Sequence, residues 1–188
     1  MAEFRLETER LILRDWRGED WPEFWRLTNT PAVMRWLGGV TDSDAQAKAR
    51  ARHEARSAAH GFDLWAVERK RDGGHLAGEL LGFCGLKLSD EQGGPIGEFE
   101  IGWRLREDAW GRGYAREAAE ASLRAAFERF GAPRVIAFTV AENTASWGLM
   151  RRLGMRRRED LDFYSTGFIA AGEDVIVHSI TRDEWAGA

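Results

Sequence analysis

The segment from Gly97 to Val140 constrains the fold most, because it predicts two strands joined by a long helix. "GEFEIGWRLR" alternates apolar with charged residues, as a half-buried strand does. After a turn with Gly111 and Gly113, an apolar stripe at helical spacing predicts a helix from about Tyr114 to Phe130. "RVIAFTV" then predicts a short buried strand. A helical crossover of this length joins parallel strands, so the sheet must contain at least one parallel pair.

The remaining segments predict helices before this unit and more strands on both sides of it. A first strand in "RLETERLILRDW" precedes two short helices in "GEDWPEFWRLTN" and "PAVMRWLGG" and a longer one from Thr41 to Gly61. "FDLWAVERK" and "LLGFCGLKL" predict two antiparallel strands, and "NTASWGLMRRLG" and "DVIVHSI" predict a closing helix and strand. We therefore expect an α+β fold with a mixed, mostly antiparallel central sheet flanked by helices, as a single domain over residues 1–188.

Charge and residue types exclude several classes of function. The 27 Lys and Arg are outnumbered by 31 Asp and Glu, so the chain lacks the basic character that nucleic acids require. No apolar run approaches the roughly 18 residues of a transmembrane helix, and the charged N-terminal segment does not resemble a signal peptide. Cys84 is the only cysteine, and the four histidines lack metal-ligand spacing. We expect a cytoplasmic protein without a metal and without a nucleic-acid or membrane partner.

The glycine turn predicts either tight packing or a binding site for an anion. The first N–H groups of a helix have no partner within the helix, and the helix dipole adds partial positive charge there. Gly111 and Gly113 would let a phosphate approach these groups. A P-loop of the form GxxxxGKS/T is absent, and a dinucleotide fingerprint would need Gly or Ala where Arg116 stands and an acid where Gly131 stands. Two common phosphate-binding families are therefore excluded.

A resemblance to a known family rests on two separated segments, "EFEIGWRLREDAWGRGYAREAAEASLRAAF" and "VIAFTVAENTASWGLMRRLGM". Both resemble the GNAT superfamily of N-acetyltransferases. The opening "ETERLILRDW" is similar to the first strand of the branch that contains the ribosomal-protein N-terminal acetyltransferases. The resemblance covers nearly the whole chain. It implies a GNAT-like fold, acetyl-CoA as the co-substrate, no metal, and an N-terminal helical region that forms one wall of the acceptor site.

By this resemblance, the glycine turn and the strand before it would hold acetyl-CoA. The family's pyrophosphate loop, Q/R-x-x-G-x-G/A, is matched at Gly111 and Gly113, while Asp108 stands where Gln or Arg is usual. The phosphates would lie on the backbone amides of residues 111–116, and the pantetheine arm would pair with the preceding strand. Asn143 would both cap a helix and contact the pantetheine. The implied cofactor-binding residues are Trp103, Leu105, Gly111, Arg112, Gly113, Tyr114, Ala115, Arg116 and Asn143.

Acetyl transfer from a thioester to an amine needs a group that collects the proton of the amine. Glu100 is the first candidate for this base and Glu98 the second, because both lie on the polar side of the strand expected to carry the thioester. A solvent-facing strand acid is the alternative interpretation of either. In the superfamily a tyrosine commonly acts as the acid, but Met150 occupies its position here. By resemblance Ser146 takes its place, and Tyr164 is a distant alternative.

We therefore expect an N-acetyltransferase that moves an acetyl group from acetyl-CoA to a primary amine by direct attack in a ternary complex. The acceptor is a protein N-terminus or a small-molecule amine, and no motif selects between them. The alternative from another class is a non-catalytic acyl-CoA-binding regulator, which the missing tyrosine supports, and a nucleotide-binding enzyme is a third. The protein is expected to be a monomer or a homodimer, since "DFYSTGFIAAGED" fits a hairpin that pairs across a dimer and equally a surface loop.

Overall fold

The computed structural model describes residues 4–165 and 172–187 of the chain. Within these residues, nine strands form one sheet: β1 Arg5–Glu7, β2 Leu11–Arg14, β3 Leu64–Arg69, β4 Leu80–Leu88, β5 Phe99–Leu105, β6 Arg134–Val140, β7 Arg156–Arg157, β8 Phe163–Ser165 and β9 Glu173–Thr181. The α-helices of the same part of the chain are α1 Asp20–Thr28, α2 Pro31–Met34, α3 Ser43–His60, α4 Tyr114–Arg124, α5 Thr144–Arg152 and α6 Arg182–Ala186. The segment expected to form a hairpin or surface loop after Tyr164 lies partly outside the described residues.

The sheet is mixed and mostly antiparallel, which confirms the predicted fold class. Its strand order is β1-β2-β3-β4-β5-β6-β9, and both β7 and β8 pair with the outer edge of β9. β5 and β6 run parallel, because α4 carries the chain back between them. Each other neighbouring pair of described strands is antiparallel. β6 coincides with the predicted strand "RVIAFTV".

Two of the predicted boundaries are wrong. The opening segment forms two strands rather than one, and the N–H of Thr8 donates to the Leu11 carbonyl at 3.0 Å in the turn between them. This turn was not visible because "TER" contains none of the Gly, Pro, Asn or Asp residues that usually mark turns. The helix expected in "PAVMRWLGG" ends at Met34, where the N–H of Gly39 folds back onto the Met34 carbonyl at 3.1 Å.

The two long helices begin and end at the predicted signals. α3 follows Asp42, whose Oδ1 accepts a hydrogen bond from the N–H of Ala45 at 2.9 Å, and it ends at Gly61 with a φ of 75°. α4 follows Gly113, which has a φ of 80°, and residues 125–129 continue it as one π-helical turn. The whole helical segment therefore reaches the predicted end near Phe130 with a wider last turn.

The two faces of β5 contact different layers of the protein. Ile101 belongs to the main hydrophobic core together with Leu123 of α4. The Arg104 guanidinium lies 4.8 Å from the ring centre of Phe24 on α1. Because side chains alternate along a strand, Glu100 shares the face of Arg104. α4 therefore covers one face and α1 the other. None of the helices in the described ranges is long and apolar enough to cross a membrane.

Candidate functional site

The main opening in the sheet lies between β5 and β6. These strands share only two register pairs, Phe99 with Val135 and Glu100 with Ile136. β5 nevertheless stays paired with β4 as far as Leu105, and β6 stays paired with β9 along its whole length. The two halves of the sheet thus diverge after Glu100. The edge of β5 from residue 101 to 105 faces a wedge, where an extended molecule can pair with the backbone as an added strand.

The wide end of this wedge leads to the glycine turn before α4. Gly111 and Gly113 have φ values of 70° and 80°, which glycine adopts without strain. A Cβ atom built on Gly111 would meet no atom within 4 Å, so the space in front of this residue is open. A Cβ on Gly113 would lie 3.3 Å from Arg10 Nη2. The turn therefore presents the first amides of α4 to an open surface, as phosphate binding requires.

Side chains beneath the turn hold it in place. Tyr114 is buried, and its hydroxyl donates to the His75 carbonyl and accepts from Arg69 Nε, each at 3.2 Å. Arg10 Nη1 donates to the Arg112 carbonyl at 3.0 Å, and the Arg10 guanidinium lies 4.7 Å from the Tyr114 ring centre. The Tyr114 ring is thus a core anchor. Only the backbone of this residue is left to face a ligand.

The other predicted residues of the turn differ in exposure. Arg112 and Arg116 are exposed, and Arg116 Nε pairs with Glu120 at 2.7 Å, whereas Ala115 packs against the main core. Asp108, which replaces the usual Gln or Arg of the family loop, pairs with Arg106 Nε at 2.6 Å. This ion pair joins Asp108 to the residue that follows β5, and so stabilises the start of the turn. It explains why an acid is tolerated at position 108.

Trp110 is a residue of the wedge that the sequence analysis missed. Its ring is exposed, and its Nε1 donates to the Leu105 carbonyl at 3.0 Å, directly at the edge of β5. Trp103 and Leu105, both expected at this edge, turn their side chains into or against the main core. They therefore offer only backbone groups to the wedge, and the indole of Trp110 covers the Leu105 carbonyl. The one sequence feature that could have indicated Trp110 as a site residue is its position, after the end of β5 and directly before Gly111.

Glu100 lies where the strands diverge and is buried on the α1 face, contrary to the alternative of a solvent-facing acid. Lys87 Nζ, from the register partner on β4, lies 3.0 Å from Glu100 Oε2, at an angle that makes the contact an ion pair without a hydrogen bond. Lys87 also pairs with Asp90 at 2.6 Å. Burial raises the pKa of Glu100 to about 7, and the ammonium of Lys87 opposes part of this rise. A carboxyl with this pKa exchanges a proton near neutral pH.

The raised pKa of Glu100 predicts a stability that falls as pH rises. The folded protein holds this proton more tightly than the unfolded chain, whose glutamates titrate near 4.5. The contribution is therefore fully present below pH 4.5 and is lost as pH rises through about 7, a change of roughly 3 kcal/mol. We expect the free energy of unfolding of Glu100→Gln, measured in urea, to fall less between pH 5 and pH 8 than that of the wild type. Parallel pH dependences would contradict the assignment.

Glu98, the second candidate base, is already engaged by a cation. Its two oxygens accept from Arg134 of β6, with Nη2 at 2.5 Å and Nε at 3.3 Å. Glu100 also lies beside a cation, Lys87, but that contact forms no hydrogen bond to its Oε2. Glu98 precedes β5 at the narrow end of the wedge, where this pair links β5 to β6.

In residues 4–165 and 172–187, no three His, Cys, Asp or Glu side chains are grouped to hold a metal.

The opposite wall of the wedge is formed by the end of β6 and the start of α5. Asn143 caps α5, since its Oδ1 accepts from the Ser146 N–H at 3.3 Å, and its Nδ2 donates to Thr139 Oγ1 at 3.0 Å. Ser146 is half-buried in the first turn of α5. Met150 is part of the main core, and the exposed Tyr164 lies on β8 beyond β9. Of the two residues considered as the acid, Ser146 and Tyr164, only Ser146 lies on an element that follows directly from the wedge.

Arg104 is a buried cation with no counter-ion among the described residues. The residue is 8% exposed, and its Nε and Nη2 have no hydrogen-bond partner in the described part of the chain. Its guanidinium lies 4.8 Å from the ring centre of Phe24 and 5.2 Å from that of Trp25. Each such ring contact contributes about 2 kcal/mol or more when desolvated, but it supplies no hydrogen-bond acceptor, and burying an ion costs several kcal/mol. Burial accordingly lowers the pKa of Arg104 to about 10. The alternation along "GEFEIGWRLR" had indicated only that Arg104 lies on the charged face of the strand.

Known proteins share both the sequence pattern and this architecture. The chain matches the acetyltransferase (GNAT) domain family over residues 10–156. It is 28% identical over 182 residues to an uncharacterized N-acetyltransferase, YnaD, of Bacillus subtilis (strain 168), covering 96% of this chain and 98% of that protein. It superposes on the acetyltransferase from Agrobacterium tumefaciens str. C58 with a TM-score of 0.77 and 26% identity, over 96% and 95% of the two chains. The spermidine N-acetyltransferase from Vibrio cholerae, solved with CoA and spermine, shares the fold with a TM-score of 0.72 at 17% identity, over 95% and 99% of the two chains.

Proposed function

The chain belongs to the GNAT family of acetyltransferases, and we propose that it transfers the acetyl group of acetyl-CoA to a primary amine by direct attack in a ternary complex. The observation that carries this proposal is the divergence of β5 and β6 after Glu100, with the wedge leading to the open glycine turn. Residues 1–188 would form one domain with this activity. The resemblance of the opening "ETERLILRDW" leads us to propose further that the chain belongs to the branch of ribosomal-protein N-terminal acetyltransferases.

The wedge and the turn have the groups that acetyl-CoA needs. The phosphates would accept hydrogen bonds from the amides of residues 111–116, with the exposed Arg112 and Arg116 adding positive charge. The pantetheine amides would pair with the edge of β5 at Trp103 and at the N–H of Leu105, whose carbonyl accepts from Trp110. Asn143, across the wedge, has an amide group held by Thr139 and would contact the arm from β6. Acetyl-CoA supplies the thioester whose acyl carbon is attacked.

Glu100 would act as the general base, directly or through a water molecule. An amine is mostly protonated near neutral pH, and a carboxylate with a pKa of about 7 can take its proton there. The amine nitrogen then bonds to the acyl carbon while the carbon–sulfur bond breaks, and the thiolate takes up a proton. Ser146, at the start of α5, would deliver that proton, with or without water. Glu98 is kept as the second candidate base, although Arg134 holds its carboxylate.

The test is acetyl transfer itself, followed as release of free thiol from acetyl-CoA. We expect turnover with at least one member of a panel of peptide N-termini and small-molecule amines, and binding of acetyl-CoA in preference to ATP and NAD. Binding without turnover across the panel would favour the alternative, a non-catalytic acyl-CoA-binding regulator. One observation favours that alternative: the usual tyrosine position holds Met150, which is buried in the core. Preferential binding of ATP or NAD would contradict both functions.

A further inference from the structure

The unpaired cation on the α1 face of β5 has no role in the reaction as described above. Arg104 is more than nine-tenths buried, yet the described residues supply it with neither a carboxylate nor a hydrogen-bond acceptor. Its surroundings are the aromatic rings of Phe24 and Trp25, together with Phe83, its register partner on β4. A buried guanidinium without an anion is unfavourable unless an anion arrives with a ligand.

Its position relative to the proposed base limits what that ligand can be. Arg104 and Glu100 point to the same face of the same strand, four residues apart, which separates their Cα atoms by about 13 Å. Trp25 is only partly buried, so solvent reaches the ring that covers the guanidinium. Glu100, paired with Lys87, lies at the end of this face where the amine would react. Arg104 lies at the other end, on the side of the sheet opposite α4.

We propose that Arg104 binds a carboxylate of the acceptor, so that the acceptor is an amine with an acidic group several bonds away. A guanidinium and a carboxylate form two parallel hydrogen bonds, which would satisfy both orphaned nitrogens of Arg104. An α-amino acid is too short to reach both Glu100 and Arg104, because its amine and carboxylate share one carbon atom. An N-terminal amine followed by an acidic residue has the required length. A polyamine lacks the anion. This inference rests on the proposed function for the identity of the reacting amine.

The test uses two peptides that differ in one group, the amidated dipeptides Ala-Glu and Ala-Gln. Their binding to the CoA-saturated protein, and to the protein without CoA, is measured by titration calorimetry. We expect the wild type to bind the acidic peptide at least about tenfold more tightly than the amide, and Arg104→Met to bind both about equally. Methionine keeps an apolar stem between the rings of Phe24 and Trp25, so the fold should be at least as stable as in the wild type.

A control variant separates direct contact from general electrostatics. Arg26→Met removes the same charge from an exposed position on α1, two residues from Phe24, and should leave the preference for the acidic peptide unchanged. Equal binding of the two peptides to the wild type, or no binding of either, would overturn the proposal. So would loss of CoA affinity in Arg104→Met, which would assign the cation to the co-substrate. If no acetyl transfer is detected but the wild type still prefers the acidic peptide, the proposed function is wrong and the proposed carboxylate site at Arg104 is retained.

Discussion

Replacing Gly111 with aspartate is expected to abolish most of the affinity for acetyl-CoA while leaving the protein folded. The open space in front of Gly111 is the space that a phosphate would take, and the new side chain would fill it with a negative charge. At a separation of 4 to 5 Å, repulsion between two unit charges corresponds to roughly 3 to 4 kcal/mol near a protein surface. This lowers the affinity by about 100-fold or more, as titration calorimetry would measure. Gly113 is the less suitable position, because Arg10 would partly neutralise an added carboxylate.

Gly61 offers a matched control for this experiment. It has a φ of 75°, against 70° for Gly111, and a Cβ at either position would meet no atom within 4 Å. Gly61→Asp thus introduces the same charge at the same backbone strain, but at the C-terminal end of α3. We expect it to bind acetyl-CoA like the wild type. If both variants lose affinity equally, strain or lost folding is responsible, and the turn is not the phosphate site.

Replacing Glu100 with glutamine is expected to lower kcat by roughly 100-fold or more, because the amine loses the group that collects its proton. The wild-type rate should rise with pH through about 7, the pKa of Glu100. In the variant this limb should disappear, leaving the titration of the amine itself, near 8 for an N-terminal amine. Acetyl-CoA affinity should stay the same, since no phosphate contact is altered. The measurement is the pH profile of kcat with saturating acetyl-CoA.

Glu98→Gln is the matched control, because it changes the same functional group two residues earlier. This variant loses the ion pair with Arg134, which is partly exposed, so we expect a small loss of stability and little change in kcat. A large loss of kcat in Glu98→Gln alone would transfer the role of base to Glu98. Equal losses in both variants would indicate that the acids act together to shape the site, rather than one of them taking the proton.

Glu100 and Arg104 show where inference from the sequence ended. Alternation along "FEIGWRL" placed both on the polar face of a strand, and the structure confirms the face. It could not predict their burial, since α1, which packs on this face through Phe24, is distant in the sequence. Lys87 was missed for the same reason. It meets Glu100 only through the register of β4 against β5, and a shift of one residue would have turned it away.

The sequence by itself determined the order of the main helices and strands, though not the division of the first strand or the short elements β7, β8 and α6. It also determined the parallel crossover through α4, the left-handed glycines of the turn and the cap at Asn143. Each depends on residues close together in the chain, where periodicity, glycine and capping side chains act locally. Only the tertiary structure decided that β5 and β6 separate after Glu100, that Tyr114 anchors the turn from below, and that Arg104 is buried with no hydrogen-bond partner in residues 4–165 and 172–187. These features result from contacts between distant segments, whose register and packing no local pattern specifies.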